Sequence, residues 1–178
     1  MISKVNDIQE LNKIVRTQLI AQSGLDGKQV LNGVSIHGQD LLKMINQYAY
    51  KSYDLKDSVL VFVLEPRTSS NNMSETTADD KLRIISSYQF HCYLYGYSSP
   101  TLANQIIARM RTEYVRLLLQ QEGVYLESVS EAEMGNDFIN ETLMVRTDFF
   151  INISCESRIE QASIPNDFAK INMTIEEI

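Results

Sequence analysis

The stretch Leu82-Arg83-Ile84-Ile85-Ser86-Ser87-Tyr88-Gln89-Phe90-His91-Cys92-Tyr93-Leu94-Tyr95-Gly96-Tyr97 decides the fold. Tyr88, Phe90, Cys92 and Leu94 recur at every second residue, the period of a strand with one buried face. A second stretch, Glu141–Ser157, repeats the pattern through Leu143, Val145, Phe149, Ile151 and Ile153. Between them, Ser98-Ser99-Pro100 marks a turn. Thr101–Gln121 then carries Ala103, Ile106, Ile107, Met110, Tyr114, Leu117 and Leu118 at 3/4 spacing, the stripe of one long amphipathic helix. A helix that leaves one strand and returns to another covers the sheet face between them, and each buries the apolar side of the other. The expected class is α+β, an antiparallel or mixed sheet packed against a long helix.

Working outward, Asn6 offers an N-cap and Ile8, Leu11, Ile14, Val15 and Leu19 form a helical stripe that stops at Ser23-Gly24. Leu25–Gly38 contains three glycines and reads as irregular. Gln39–Tyr50, with Leu41, Leu42, Ile45 and Tyr48, reads as a second short helix. Val59–Leu64 is apolar and β-branched, a strand that ends at Glu65-Pro66. Arg67–Lys81 is polar and aperiodic, which predicts a long, mobile hairpin loop. Gly123 suits the residue after a helix, Val124–Val129 a short strand, and acidic Glu131–Asn140 a connection. One domain is expected over 1–178: a helical part to residue 57, a sheet-and-helix core over 58–157, and a tail over 158–178.

The chain has 178 residues, enough for a hydrophobic core without disulfide or metal staples. It contains no apolar run long enough to span a bilayer, and Met1–Asp7 lacks the apolar segment of a secretory signal, so a cytoplasmic site of synthesis is expected. A formal charge of −7 argues against general affinity for nucleic-acid phosphate, although it permits a wall past which DNA slides. Cys92 and Cys155 are too few for a disulfide framework or a zinc site and fit reduced core thiols.

No phosphate-binding glycine loop, HExxH or CxxC pattern is present, and His37 and His91 lack partners at ligand spacing. No catalytic, cofactor-binding or metal residue is therefore assigned. On the face opposite Phe90 and Cys92 stand His91, Tyr93, Tyr95 and Tyr97, an exposed aromatic row of the kind that serves interfaces. Arg146 and Asp148 share the corresponding face of the second long strand. The candidate interface residues are thus Tyr93, Tyr95, Arg146 and Asp148. A stacking platform for single-stranded nucleic acid is the rival, but few basic residues flank the row.

The run Tyr88-Gln89-Phe90-His91-Cys92-Tyr93-Leu94-Tyr95-Gly96-Tyr97, the helix with Ala103 and Arg109-Met110-Arg111, Gly123-Val124-Tyr125, and the strand Met144-Val145-Arg146-Thr147-Asp148-Phe149-Phe150-Ile151 occur in that order. In this order and composition the central half of the chain resembles the tailed-bacteriophage neck and tail-terminator family. The resemblance implies a non-enzymatic virion protein, assembled in the host cytoplasm, without cofactors. It implies a homo-oligomer, a hexameric ring, that ends the tail tube and joins the tail to the head connector, with DNA passing through the lumen. Partners would be the tail tube protein and the neck proteins, with the tail sheath as a further candidate. The competing readings are another phage structural role (head completion, tube or baseplate ring) and a small enzyme whose site carries no readable motif.

Overall fold

The computed structural model describes residues 8–33, 38–65, 73–76, 81–139 and 142–160. In chain order these form α1 (Ile8–Ser23), β1 (Val30–Asn32), α2 (Gly38–Tyr48), β2 (Val59–Glu65), β3 (Met73–Thr76), β4 (Lys81–Tyr95), α3 (Ser99–Met110), α4 (Glu113–Gln121), β5 (Val124–Val129), β6 (Glu133–Ile139) and β7 (Thr142–Glu160). The seven strands make one sheet in the order β1-β2-β4-β7-β5, with β3 added to β4 and β6 added to β7. All pairs are antiparallel except β1 with β2. The α+β class read from the sequence is the observed one.

The two alternating stretches are the central pair, β4 and β7, paired from Lys81↔Glu160 to Tyr95↔Arg146. Their inner face buries Phe90, Cys92, Leu94, Phe149, Ile151 and Ile153 beneath α1, α3 and α4. Fully burying each large apolar side chain contributes about 1.5–3 kcal/mol, so this layer dominates the stability. Leu143 and Val145 continue the same alternation but extend past the helical cover, and Leu143 is exposed. Period alone cannot say where a covering helix ends.

The helical segment departs from expectation. In place of one helix there are two, separated at Arg111 and Thr112. Thr112 takes extended dihedrals (φ −69°, ψ 148°), and its hydroxyl donates back to the Arg109 carbonyl. Thr112 is at the N-cap position of α4, where its hydroxyl makes no cap bond to that helix, and Glu113 follows in the first turn, an acidic residue favoured there. The break changes the phase: Val115 and Leu119 are buried, while Tyr114 and Leu117 face solvent. At the other end of α3, Gly96 takes φ +136°, and a Cβ there would lie 2.9 Å from the Asp57 carbonyl oxygen. Only glycine makes the turn from β4 into α3 at that approach.

Three strands fall where none was expected. Val30–Asn32 lies in the stretch read as irregular, and α2 is its crossover to the parallel β2. Met73–Thr76, inside the expected loop, pairs with Ile85–Leu82 on the β4 edge that β2 uses further along. The rest of that loop up to Lys81, 67–72 and 77–80, lies outside the described residues, as do Asn6, His37 and the tail beyond Glu160. Glu133–Ile139, expected as a connection, pairs with β7.

Helix α2 packs on the opposite, outer face of the sheet, where Ile45 and Ala49 meet Val59, Val61, Tyr95 and Met144. Among the described residues, no helix is long and apolar enough to cross a membrane.

Cys92 and Cys155 are free and buried, as read from the sequence. Cys92 pairs with Phe149 and Cys155 with Ser86, so β4 and β7 do not bring the two thiols together. Burial pushes the Cys155 thiol up to about 12 and raises Cys92 as well. The thiolate is the reactive form, so a disulfide reagent at about pH 8 is expected to label neither cysteine in the native protein and both in urea. Rapid native labelling of one equivalent would show that a thiol is accessible.

A candidate interface on the outer sheet face

Alternation in β4 and β7 puts His91, Tyr93 and Tyr95 on the same outer face as Arg146, Asp148 and Phe150. Register then brings them together: His91 lies opposite Phe150, Tyr93 opposite Asp148, and Tyr95 opposite Arg146. Both strands contribute across one line, and β6 adds Asp137 from the far side of β7. All four candidate residues therefore form one cluster.

Arg146 is its centre. Its Nη2 donates to Asp148 Oδ2 at 2.8 Å and its Nη1 to Asp137 Oδ2 at 3.0 Å. A second approach, Nε to Asp148 Oδ1 at 2.8 Å, adds charge contact off the hydrogen-bond direction. The guanidinium also lies 4.9 Å from the Tyr93 ring centre, a cation–π distance. Partial burial works against the charge on Arg146, but the bond to Asp148 and the adjacent acidic groups outweigh it and raise its pKa. Tyr95 donates its hydroxyl to Asp137 Oδ2 at 3.1 Å. Burial, then the Asp137 charge, holds the Tyr95 phenol well above its usual value, and burial followed by Glu65 raises Tyr93.

His91 is wedged between the Tyr93 and Phe150 rings at 4.0 and 4.1 Å. Its Nδ1 donates to Glu65 Oε1 at 3.0 Å, and its Nε2 lies 3.7 Å from Asp148, beyond hydrogen-bond reach. The histidine is thus a packed member of the cluster and not a surface side chain.

Two expectations need correction here. Tyr95 is only 4% exposed, because α2 covers this end of the outer face, and Tyr93 is half-buried. Tyr97 lies past the end of β4 and leaves the row: its ring packs on Tyr50 at 5.0 Å and Tyr53 at 4.9 Å. A sequence reading sees the sheet face but not the crossover helix laid on it. Glu65, Asp137 and Phe150 are the members it missed. Asp137 was hidden in a stretch read as a connection.

The chemistry of the cluster is that of a clamp. Arg146 donates to both Asp148 and Asp137, so its charge is met inside the cluster. No group of three or more His, Cys, Asp or Glu side chains among the described residues is placed to hold a metal ion. What the cluster does is fix β6 against β4 and β7.

That geometry also aims a projection. The β6–β7 hairpin continues to Ile139↔Thr142, beyond the last β4 residue paired with β7 at Tyr95↔Arg146. On its outer side Asp137 is held by Arg146. On the other side Met134, Phe138 and Leu143 are 71%, 74% and 56% exposed, and Phe138 pairs with Leu143. Tyr50 braces the hairpin's base by donating its hydroxyl to the Val145 carbonyl at 2.9 Å.

No curated protein matches the chain. A family model described as phage neck terminator protein matches residues 28–178, a span that takes in the whole sheet and all helices except α1.

Proposed function

From the premise that this chain belongs to the phage neck terminator family, and is a structural component of the phage neck or tail, we propose that it assembles as a hexameric ring that ends the tail tube and joins the tail to the head connector. The observation that carries this reading is the family match across residues 28–178. A tube end presents several equivalent sites, and a closed ring engages them together, so weak individual contacts multiply. Ring contacts are heterologous and require two different, complementary patches on each subunit. The exposed apolar hairpin supports one such patch.

The tail tube protein and the neck proteins are the proposed partners, with the tail sheath as a further one. DNA crosses the lumen without specific binding, in keeping with a chain charge of −7. Tyr93, Tyr95, Arg146 and Asp148 act in this reading from behind the contact surface, by holding the hairpin in place.

The expected result is density for this chain in a virion map as a sixfold ring at the head-proximal end of the tail. Finding it as the repeating tube subunit, or at the distal baseplate, would refute the terminator role. Either location would leave a phage structural protein with another duty.

A further inference from the structure

Resting on the ring reading, we propose that segment 170–176 in the tail of one copy adds as a strand to the open edge of β6 in the next copy of this chain. Among the described residues β6 pairs with β7 alone, so its other side presents a row of unpaired backbone N–H and C=O groups. Met134 and Phe138 stand exposed on this edge strand, and Leu143, paired with Phe138, is exposed beside them. An open edge that carries large apolar side chains is a template for one more strand. Backbone bonds then supply the affinity and alternate side chains the specificity.

The chain carries a strand pattern that fits and that none of β1 to β7 uses. Ile171, Met173 and Ile175 alternate with Asn172 and Thr174, the period of a strand with one apolar face. On β6 one face carries Met134, Asn136 and Phe138, and the other Glu133, Gly135 and Asp137. With the apolar faces together, the three tail residues fall level with those first three positions, and the adaptable Met173 meets Asn136. Charge then selects the direction. A parallel strand brings Lys170 level with the exposed Glu133 on the polar face. An antiparallel one brings Glu176 there instead, and like charges side by side are destabilising.

The donor of this matching strand is a second copy, because the chain's own segment falls short of the edge. β7 ends at Glu160, and Met173 lies thirteen residues farther along. Reversing direction takes about two residues, so Met173 returns no farther than about the level of Phe149. β6 begins opposite Asp148, and Asn136 lies farther still, opposite Val145. Edge and strand are different patches of one subunit, the requirement of a head-to-tail contact. In a closed ring every copy then gives one strand and receives one, and no edge stays open.

The test places the photo-cross-linker p-benzoylphenylalanine at the exposed Phe138 position of the full chain. Irradiation of the concentrated protein, alone and bound to isolated tails, is expected to give a ladder of covalent multimers. Mass spectrometry should place the link within residues 170–176 of a second copy, and adding Met173→Asp should abolish the ladder. A ladder that survives Met173→Asp, or a link to the tail of the same chain at monomer mass, would overturn the exchange. A link only to another tail protein would overturn it as well and assign the edge to that protein. Rings of wild-type protein by negative stain without the link would overturn the added strand and leave the ring standing. Neither ring nor link, in solution or on tails, would overturn both readings.

Discussion

Replacing Ile107 with aspartate is expected to destabilise the fold by several kcal/mol. Ile107 lies on the buried stripe of α3, 3% exposed, beneath the inner face of the central strands. The substitution removes an apolar side chain whose burial contributes about 1.5–3 kcal/mol. It also leaves a carboxylate in a cluster of Leu, Ile, Met and Phe side chains. Either the charge is buried or the aspartate is protonated to avoid it, and both cost several kcal/mol. Domains of this size are stable by about 5–15 kcal/mol in total, so one such change consumes much of the margin. Urea unfolding followed by circular dichroism reads the effect as a large fall in midpoint. A wild-type midpoint would mean that α3 does not lie on the sheet through this face.

Arg146→Met is expected to cost about 2–4 kcal/mol, reduced from the range for fully buried pairs because the partners keep some solvent. The side chains of Arg146, Asp137 and Asp148 are 24%, 33% and 15% exposed. Methionine fills similar volume but leaves two carboxylates beside the Tyr93 and Tyr95 rings without their cation. The loss should then fall when the stranded charge is also removed: Arg146→Met with Asp148→Asn should be more stable than the sum of the single changes predicts. A coupling of about 1–3 kcal/mol is the expected size for residues in direct contact. Additive single effects would show that the clamp holds nothing. If the clamp aims the hairpin, hydrogen exchange in Glu133–Ile139 should quicken in Arg146→Met more than in the central strands.

The sequence was legible where one face of an element is buried and the other is wet. Both central strands, α1, α2 and β5 met that condition, and their alternation or 3/4 spacing survives in the structure; β2, buried on both faces, was legible instead as an unbroken apolar, β-branched run. It was not legible where neither face of a strand is packed beneath a helix. In β6 one side carries Glu133, Gly135 and Asp137 and the other is interrupted at Asn136 between Met134 and Phe138, so no sustained apolar period marks the strand, yet seven consecutive residues pair with β7. Short β1 and β3 have too few residues to show a period at all. The helix break at Thr112 was marked locally by the acidic Glu113 after it but lost against a stripe that happened to run through it. Of the outer-face cluster, the four named residues were brought together by strand register, which alternation implies. Their burial was not implied, because it is set by α2, a helix from a distant part of the sequence.

The 19-residue β7 has consequences for the order of events when the protein forms. Its partners on β4 lie about 50 to about 80 residues earlier in the chain, so the central pairing closes long loops, whereas β6 lies next to it. Until β7 emerges from the ribosome, α1, α3 and half of the sheet can pack only around a missing central strand. β4 then presents a bare edge of fifteen residues to other nascent chains. The β6–β7 hairpin can close early and locally, but it completes nothing until its long arm finds β4. Arrival of β7 should therefore set the refolding rate, and partial chains ending before Thr142 should be aggregation-prone.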